Sequence, residues 1–144
     1  MVNDNLELTG HLTIAINNEV VQETPNLVVT AGKSWVADRM ADANTVMTHM
    51  AIGTGTNVAA AGDTALQTEV ERNALTTSGG TVAANVITYE CTFAAGEGTG
   101  AIIEAGIFDA ATTGDMLART KFTSGVVNKG ALDSMTITWA ITVS

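Results

Sequence analysis

The sequence predicts an all-β protein, an antiparallel β-sandwich that is jelly-roll-like and carries one or two short helices. Threonine and valine, whose branched side chains suit a pleated and half-buried surface, are abundant. Apolar and polar residues alternate with a period of two in several segments, and glycine-rich turns separate those segments. Seven or eight strands of this kind with little helix favour two packed antiparallel sheets over βαβ units.

The first predicted hairpin occupies residues 6–24. Leucine and isoleucine side chains share one face of residues 6–16, and the other face is polar. Asn17 and Asn18 suit the left-handed conformations of a tight turn. The chain then returns as a second strand until Pro25 interrupts the ladder, because proline has no backbone N–H to donate.

Residues 32–40 form the best helix candidate. Ser34 is the predicted N-cap, and Val36 and Met40 fall on one helical face. The segment is short, so we expect a peripheral helix. A further helical turn is predicted within residues 64–72, because two apolar side chains lie four positions apart there.

The rest of the chain predicts strands. Residues 101–108 and 116–122 should form a hairpin. Residues 134–143 should form a central and well-buried strand, because their alternation is long and regular. The predicted strands are residues 46–52, 82–93, 101–108, 116–122 and 134–143.

Composition excludes several classes of function. The net charge of −9, the pI near 4.3 and the scattering of the six basic residues argue against nucleic-acid binding. The single cysteine, Cys91, can neither close an internal disulfide nor build a thiolate metal site. Residues 1–8 lack the features of a secretory signal, and no run of about 18 apolar residues occurs. We therefore expect a soluble protein that binds no membrane.

No motif predicts catalysis. His11 and His49 do not have the spacing that gives a metal two ligands from one element. The loop Gly53-Thr54-Gly55 lacks the lysine and the following helix of a phosphate-binding loop, so it is interpreted as a turn. No serine lies in a Gly-x-Ser-x-Gly elbow. We expect no enzymatic activity, no cofactor and no metal site, with a carboxylate-based glycosidase as a weaker alternative.

Glu104 stands out in the predicted strand 101–108. It shares a face with Ile102 and Phe108, so either this face is exposed or a carboxylate is buried among apolar neighbours. A buried carboxylate without a partner costs several kcal/mol. We therefore expect Arg72 or Arg119 to neutralise Glu104 in a structural ion pair rather than a catalytic site.

The chain length is typical of one domain, since single domains usually span roughly 100 to 200 residues. The domain is expected to cover residues 6–144. The residues before it carry little apolar pattern and predict an extended arm, which would order against a neighbouring protein and serve as an attachment. This candidate attachment arm consists of Met1, Val2, Asn3, Asp4 and Asn5.

Six segments of the sequence resemble small virion structural proteins of tailed bacteriophages. The resemblance spans most of the chain, and the family includes capsid decoration (cement) proteins as well as tail, baseplate and collar-fibre components. The six segments are residues 26–33 (NLVVTAGK), 50–56 (MAIGTGT), 64–69 with Arg72, 104–108 (EAGIF), 116–122 (MLARTKF) and 133–139 (DSMTITW).

The resemblance implies a decoration protein that binds and stabilises the assembled shell of the major capsid protein. A single domain without coiled-coil heptads suits a shell-covering protein better than a fibre. The resemblance further implies a homo-oligomer, with a trimer favoured, that assembles in the host cytoplasm and lies on the outer surface of the capsid. The main alternative is a tail, baseplate or collar-fibre component that binds a tail or baseplate protein. A carbohydrate-binding or carbohydrate-active protein is less favoured.

Overall fold

A computed structural model describes residues 4–144 of the chain. In this part the strands form two five-stranded sheets and one two-stranded sheet, and every strand pairing is antiparallel. The predicted all-β sandwich is therefore confirmed. In chain order the elements are β1 (Leu8–Ile16), β2 (Glu19–Pro25), β3 (Leu27–Val28), α1 (Thr30–Met40), β4 (His49–Gly53), β5 (Glu69–Ala74), β6 (Thr81–Ala83), β7 (Val86–Phe93), β8 (Gly100–Ile102), β9 (Glu104–Phe108), β10 (Met116–Lys121), β11 (Val127–Lys129) and β12 (Met135–Val143).

The first sheet has the strand order β2-β1-β12-β7-β6. Its central strand, β12, pairs with β1 from Leu8 opposite Val143 and with β7 from Met135 opposite Phe93. The prediction of a central, well-buried C-terminal strand is confirmed, because alternate side chains of β12 are almost inaccessible to solvent. These side chains are Met135, Ile137, Trp139 and Ile141.

The second sheet has the strand order β3-β10-β9-β4-β5. The predicted hairpin between residues 101–108 and 116–122 is confirmed by the pairing of β9 with β10. The main core lies between the two sheets, where Leu12 and Trp139 of the first sheet meet Ile52 and Ile107 of the second. The other face of the second sheet is called the outer face below.

The turn between β1 and β2 was predicted correctly. Asn17 and Asn18 both have positive φ, at 50° and 67°, as a two-residue hairpin turn requires. Leu6, in contrast, was predicted on the buried face of the first strand and is 69% exposed, because β1 begins only at Leu8.

Two predicted strands are each interrupted. Residues 82–93 form the hairpin of β6 and β7, which turns at Ala84 and Asn85. Residues 101–108 form β8 and β9, with Ile103 between them. The chain breaks at Ile103 because β8 leaves the second sheet to pair with β11. Apolar residues run on into both breaks, as Ala83-Ala84 and Ile102-Ile103, so the sequence pattern did not reveal them.

The predicted cap and face of the helix are wrong. Helix α1 begins at Thr30, so Ser34 lies inside it, and the N-cap residue, Val29, makes no side-chain capping hydrogen bond. Met40 was predicted on a common face with Val36, but it is 84% exposed. Packing against the sheet, rather than capping, therefore sets where this helix begins and which face it buries.

Helix α1 packs on β10 through its buried residues, Gly32 and Trp35. Gly32 lies so close to Leu117 that an added Cβ would stand 2.0 Å from the backbone oxygen of Leu117. The indole N–H of Trp35 donates a hydrogen bond of 2.8 Å to the carbonyl oxygen of Thr45. The first contact seats the helix on the sheet, and the second ties the helix to the segment that follows it.

The predicted helical turn within residues 64–72 is wrong. This stretch is the end of a long connection, residues 54–68, followed by β5, which pairs with β4. We call residues 54–68 the β4–β5 loop. It folds over the outer face of the second sheet, where Leu66 packs with Phe108 and Met116 in a small second core.

The N-terminal segment is described from Asp4 onward. Of the predicted attachment arm, Met1, Val2 and Asn3 lie outside the described residues, and Asp4 and Asn5 are exposed and belong to no helix or strand. Among residues 4–144, no helix is both long enough and apolar enough to cross a membrane.

Candidate functional site

Glu104 lies on the outer face of the second sheet and is fully buried beneath the β4–β5 loop. Its carboxylate accepts three backbone hydrogen bonds from that loop. The N–H groups of Gly55 and Thr68 donate to Oε1 at 3.0 and 2.7 Å, and the N–H of Gln67 donates to Oε2 at 3.0 Å. Glu104 therefore fastens both ends of the loop to the sheet.

Two glycines make room for this carboxylate. An added Cβ at Gly53 or at Gly55 would stand 2.5 Å from Oε1 of Glu104, closer than any side chain tolerates. The loop Gly53-Thr54-Gly55, which the sequence only superficially relates to phosphate-binding loops, thus does approach an anion. The anion is the protein's own glutamate.

Arg119 supplies the counter-charge from the neighbouring strand β10. Its Nη2 and Nε donate to Oε2 of Glu104 at 2.8 and 3.2 Å. Its Nη1 donates to the Asp63 carboxylate at 2.8 Å, and Nη2 also donates to the carbonyl oxygen of Asn57 at 3.0 Å. Because Asp63 and Asn57 both belong to the β4–β5 loop, the guanidinium holds the middle of the loop while Glu104 holds its ends.

Arg72, the other predicted partner of Glu104, lies elsewhere. Its guanidinium pairs with Glu69 at 2.6 Å and stands 3.7 Å above the ring centroid of Phe108. It also donates to the carbonyl oxygens of Ala110 and Thr113, at 3.0 and 2.8 Å. Arg72 thus ties β5 to the turn between β9 and β10, and the pair that neutralises Glu104 is Glu104–Arg119.

Burial alone would raise the pKa of Glu104, but hydrogen bonds from Arg119 and from three backbone N–H groups overcome this effect and lower the pKa below its usual value. Glu104 is therefore ionised in the folded protein at neutral pH. Its carboxylate is sealed from solvent and already accepts five hydrogen bonds. This arrangement is suited to holding a loop and gives no access to a substrate.

The lowered pKa of Glu104 predicts acid sensitivity. A carboxyl group whose pKa is lower in the folded than in the unfolded state stabilises the fold above the unfolded pKa, and that stabilisation is lost as the pH falls. We expect the free energy of unfolding to decrease below about pH 4.3, the usual glutamate pKa. In a Glu104→Gln protein this contribution is absent, so its stability deficit relative to wild type should shrink on acidification. Urea titrations of both proteins between neutral and acidic pH measure the deficit, and a constant deficit would contradict the assignment.

Four of the six segments on which the predicted phage resemblance rests meet at this cluster. Residues 50–56 contribute Gly53 and Gly55, and residues 64–69 contribute Gln67 and Thr68. Residues 104–108 contribute Glu104, and residues 116–122 contribute Arg119. Only Asp63 and Asn57 lie outside the quoted motifs. These residues close the β4–β5 loop on the sheet.

The two histidines lie in different sheets, His11 on β1 and His49 on β4. His11 is exposed, whereas His49 is half-buried, hydrogen-bonds to Thr48 Oγ1 through Nδ1 at 2.7 Å, and has its pKa lowered by burial and then by the Arg72 charge. No cluster of three or more histidine, cysteine, aspartate or glutamate side chains suited to a metal ion occurs within residues 4–144.

Cys91 is buried in the core, where burial first and then the charges of Glu97 and Glu90 raise the pKa of its thiol to about 12. Because the thiolate is the reactive form, we expect the folded protein to react with a thiol reagent at about pH 8 at least a hundredfold more slowly than the unfolded protein. Mass spectrometry after timed labelling, with and without concentrated guanidinium chloride, measures both rates. Rapid labelling of the folded chain would show that the core around Cys91 opens.

Two grooves flank β3 at the edge of the second sheet. The first, of about 450 Å³, lies between β1, β3 and α1 and is called the β1–β3 groove; it is lined by Leu6, Leu8 and Lys33 among others. The second, of about 240 Å³, lies on the outer face beside Val58 and Lys121. Asn26 borders both grooves, and neither polar atom of its buried side-chain amide has a hydrogen-bond partner within residues 4–144.

The sequence did not reveal these grooves or the loop partners of Arg119. Asp63 and Asn57 lie in a stretch of small residues without periodicity, so no pattern placed them near Arg119. The grooves exist because β2 ends at Pro25, and the next two strand residues join the other sheet. Pro25 was visible in the sequence, but the change of sheet was not.

No protein-family model matches this chain, and no significant match was found among the curated proteins or the solved structures compared with it.

Proposed function

We propose that this chain is a structural protein of a tailed-phage virion that decorates the capsid by binding the assembled shell of the major capsid protein. The observation that carries the proposal is that four of the six resembling segments meet at Glu104. In this chain these segments close a loop on a sheet around a sealed carboxylate, which fits a protein that acts by binding.

The surface chemistry supports the same proposal. The chain carries a net charge of −9, which would repel packaged nucleic acid and keep the protein on the outside of the shell. Each copy would make modest contacts with the capsid. A homo-oligomer, for which we favour a trimer at a capsid symmetry axis, would raise the effective affinity by engaging several sites at once.

Sedimentation with purified empty capsids tests this proposal. We expect the protein to pellet with capsids assembled from the coat protein of the same phage, and an acidic protein of similar size to stay in the supernatant. Binding to isolated tails with none to capsids would overturn decoration and favour the tail or baseplate alternative. Sugar turnover without any particle binding would favour the carbohydrate alternative.

The proposed attachment arm is tested in the same assay. Removing residues 1–5 should leave the thermal unfolding temperature unchanged, because Asp4 and Asn5 belong to no strand or helix. We expect less of the shortened protein to pellet with capsids. Equal pelleting would assign the contact to the sandwich surface. Light scattering over a range of concentrations measures the oligomer, for which a trimer is expected.

A further inference from the structure

The two ends of the β4–β5 loop meet, and the loop holds itself together. The N–H of Thr54 donates to the carbonyl oxygen of Thr68 at 3.0 Å, which joins the first residue of the loop to the last. Inside the loop, the N–H of Asn57 donates to the side-chain oxygen of Gln67 at 2.7 Å. A compact loop with adjacent ends and contacts of its own is an Ω-loop, a type that is frequently functional.

The loop takes no part in the main core between the two sheets. Its buried apolar side chain, Leu66, packs with Phe108 and Met116 in the small second core on the outer face. Its other large apolar residue, Val58, is 75% exposed. If the loop left the outer face, the contact between the two sheets would stay closed, and this is the condition for a local opening that needs no global unfolding.

The polar attachments of the loop converge on one ion pair. Three backbone hydrogen bonds join the ends of the loop to Glu104, and two hydrogen bonds join its middle to Arg119. A further hydrogen bond of 2.8 Å runs from the N–H of Thr30 to the carbonyl oxygen of Ala61. Because the same two side chains hold both ends and the middle, we expect the loop to be released as a whole rather than residue by residue.

The ion pair itself stays on the sheet when the loop leaves. Glu104 and Arg119 belong to the neighbouring strands β9 and β10, so they remain side by side without the loop. Opening returns water to both groups. This rehydration offsets much of the lost hydrogen bonding, because the desolvation cost of a buried ion pair is comparable to its attraction. We therefore expect opening of the loop to cost less than global unfolding.

Protonation of Glu104 requires the open loop. In the closed loop Oε1 accepts hydrogen bonds from Gly55 and Thr68, and Oε2 accepts them from Gln67 and Arg119. A proton on either oxygen would point at one of these donors. Only the open loop leaves an oxygen free to carry a proton, so proton uptake favours the open state.

Other titratable or charged side chains face Glu104 from the elements around it. Lys121 lies directly opposite on β10, and Asp63 reaches the cluster from the loop. The remaining ones lie on β4 and β5, where Arg72 pairs with Glu69 and His49 lies opposite Phe108, at the other end of β9. Asp63 is the other carboxylate bound to Arg119, so it is the alternative acid trigger that an experiment must separate from Glu104.

We propose that the β4–β5 loop is an acid-released cover, which leaves the outer face as one unit when Glu104 takes up a proton while both sheets stay folded. Opening withdraws Leu66 from Phe108 and Met116, so it uncovers apolar surface that the closed loop hides. The cover is a property of the fold and does not depend on the proposed function.

Native-state hydrogen exchange tests whether the loop opens by itself. The reporters are the amides of Gly55, Gln67 and Thr68, and the controls are the amides of Ile137 and Trp139 in β12. We expect the reporters to be at least about a hundredfold less protected than the controls, with little dependence on low urea concentrations. Equal protection and equal urea dependence in both sets would overturn the proposal, because the loop would then open only with global unfolding.

The pH dependence of the same exchange tests the acid release. Because the pKa of Glu104 is lowered in the closed protein, closure is stabilised above the pKa of the open state and loses that stabilisation as the pH falls. We expect protection of the three reporter amides to decrease together below about pH 4.3, severalfold and at most about tenfold per pH unit. Protection that is independent of pH, or that differs in slope among the three amides, would overturn the acid release of a single unit.

Three variants identify the trigger. In Glu104→Gln the reporters should be poorly protected at every pH, with no acid dependence, while the β12 amides stay protected. Asp63→Asn should keep the acid dependence. Leu66→Ala retains Glu104 and should lower reporter protection about tenfold or more with the slope unchanged, which keeps the test valid if Glu104→Gln does not fold. Acid dependence that survives in Glu104→Gln or is lost in Asp63→Asn would overturn Glu104 as the trigger, and unchanged protection in Leu66→Ala would overturn the release of Leu66.

Discussion

Replacing Glu104 with glutamine is expected to lower the free energy of unfolding by about 3 to 5 kcal/mol, because it leaves a buried guanidinium without its main counter-charge. Glutamine keeps the shape of the side chain but has one oxygen where glutamate has two. Its amide nitrogen must then face donors, whichever way the group is turned, since both oxygens of Glu104 accept hydrogen bonds from N–H groups. The loss thus combines a buried guanidinium that keeps only Asp63 as its counter-charge with unsatisfied donors beneath the β4–β5 loop.

Glu90→Gln is the matched control. Glu90 is exposed on β7, and its side chain makes no hydrogen bond or ion pair within residues 4–144. Its replacement should change the free energy of unfolding by less than about 0.5 kcal/mol. Urea denaturation of the wild type and both variants at neutral pH, analysed as a two-state transition, gives the comparison. A change below about 1 kcal/mol for Glu104→Gln would show that the cluster contributes no more to the free energy of unfolding than a surface ion pair does.

Replacing Gly32 with alanine is expected to destabilise the protein by about 2 to 3 kcal/mol. The new Cβ would stand 2.0 Å from the backbone oxygen of Leu117, and a backbone atom of a central strand cannot move aside as a flexible side chain can. Helix α1 must shift away from β10 instead, which loosens the packing of Trp35. The higher helix propensity of alanine offsets about 1 kcal/mol at most.

Gly62→Ala distinguishes this clash from a general effect of losing a glycine. A Cβ added at Gly62, in the β4–β5 loop, meets no atom within 4 Å. The substitution should leave stability within about 0.5 kcal/mol of wild type or raise it slightly. Thermal unfolding followed by circular dichroism compares the two variants. Similar melting temperatures for Gly32→Ala and the wild type would show that α1 moves on the sheet at little cost.

The fold class and the best strands were predictable because they depend on local alternation. Strand β12 places Ile137, Trp139 and Ile141 on one buried side, as the period of two predicts. The predicted helical turn around Leu66 and Val70 failed because tertiary strand pairing overrides the local pattern. The four-residue spacing fits a helical turn, but pairing with β4 draws Val70 into a strand, and only Leu66 remains buried.

The buried acid was also predictable, but the choice of its partner was not. Glu104 was singled out because a carboxylate shares a strand face with apolar residues, and that signal is local. The choice between Arg72 and Arg119 depends on the register of β10 against β9, which shifts between Met116 and Ala118. This bulge places Arg119 opposite Gly106, on the same face as Glu104. Nothing in a single sequence marks such a shift.

The position of β12 has a consequence for how the chain folds during synthesis. Its neighbours are β1, from the start of the chain, and β7, from the middle, yet β12 is the last of the three to leave the ribosome. Until then the apolar faces of β1 and β7 have no common partner, and the first sheet cannot assemble. Closing such long chain segments is entropically costly, which is why folds rich in distant pairings fold in roughly milliseconds to seconds. The first sheet can therefore be completed only once β12 has been synthesised, and the apolar faces of β1 and β7 stay exposed to aggregation until then.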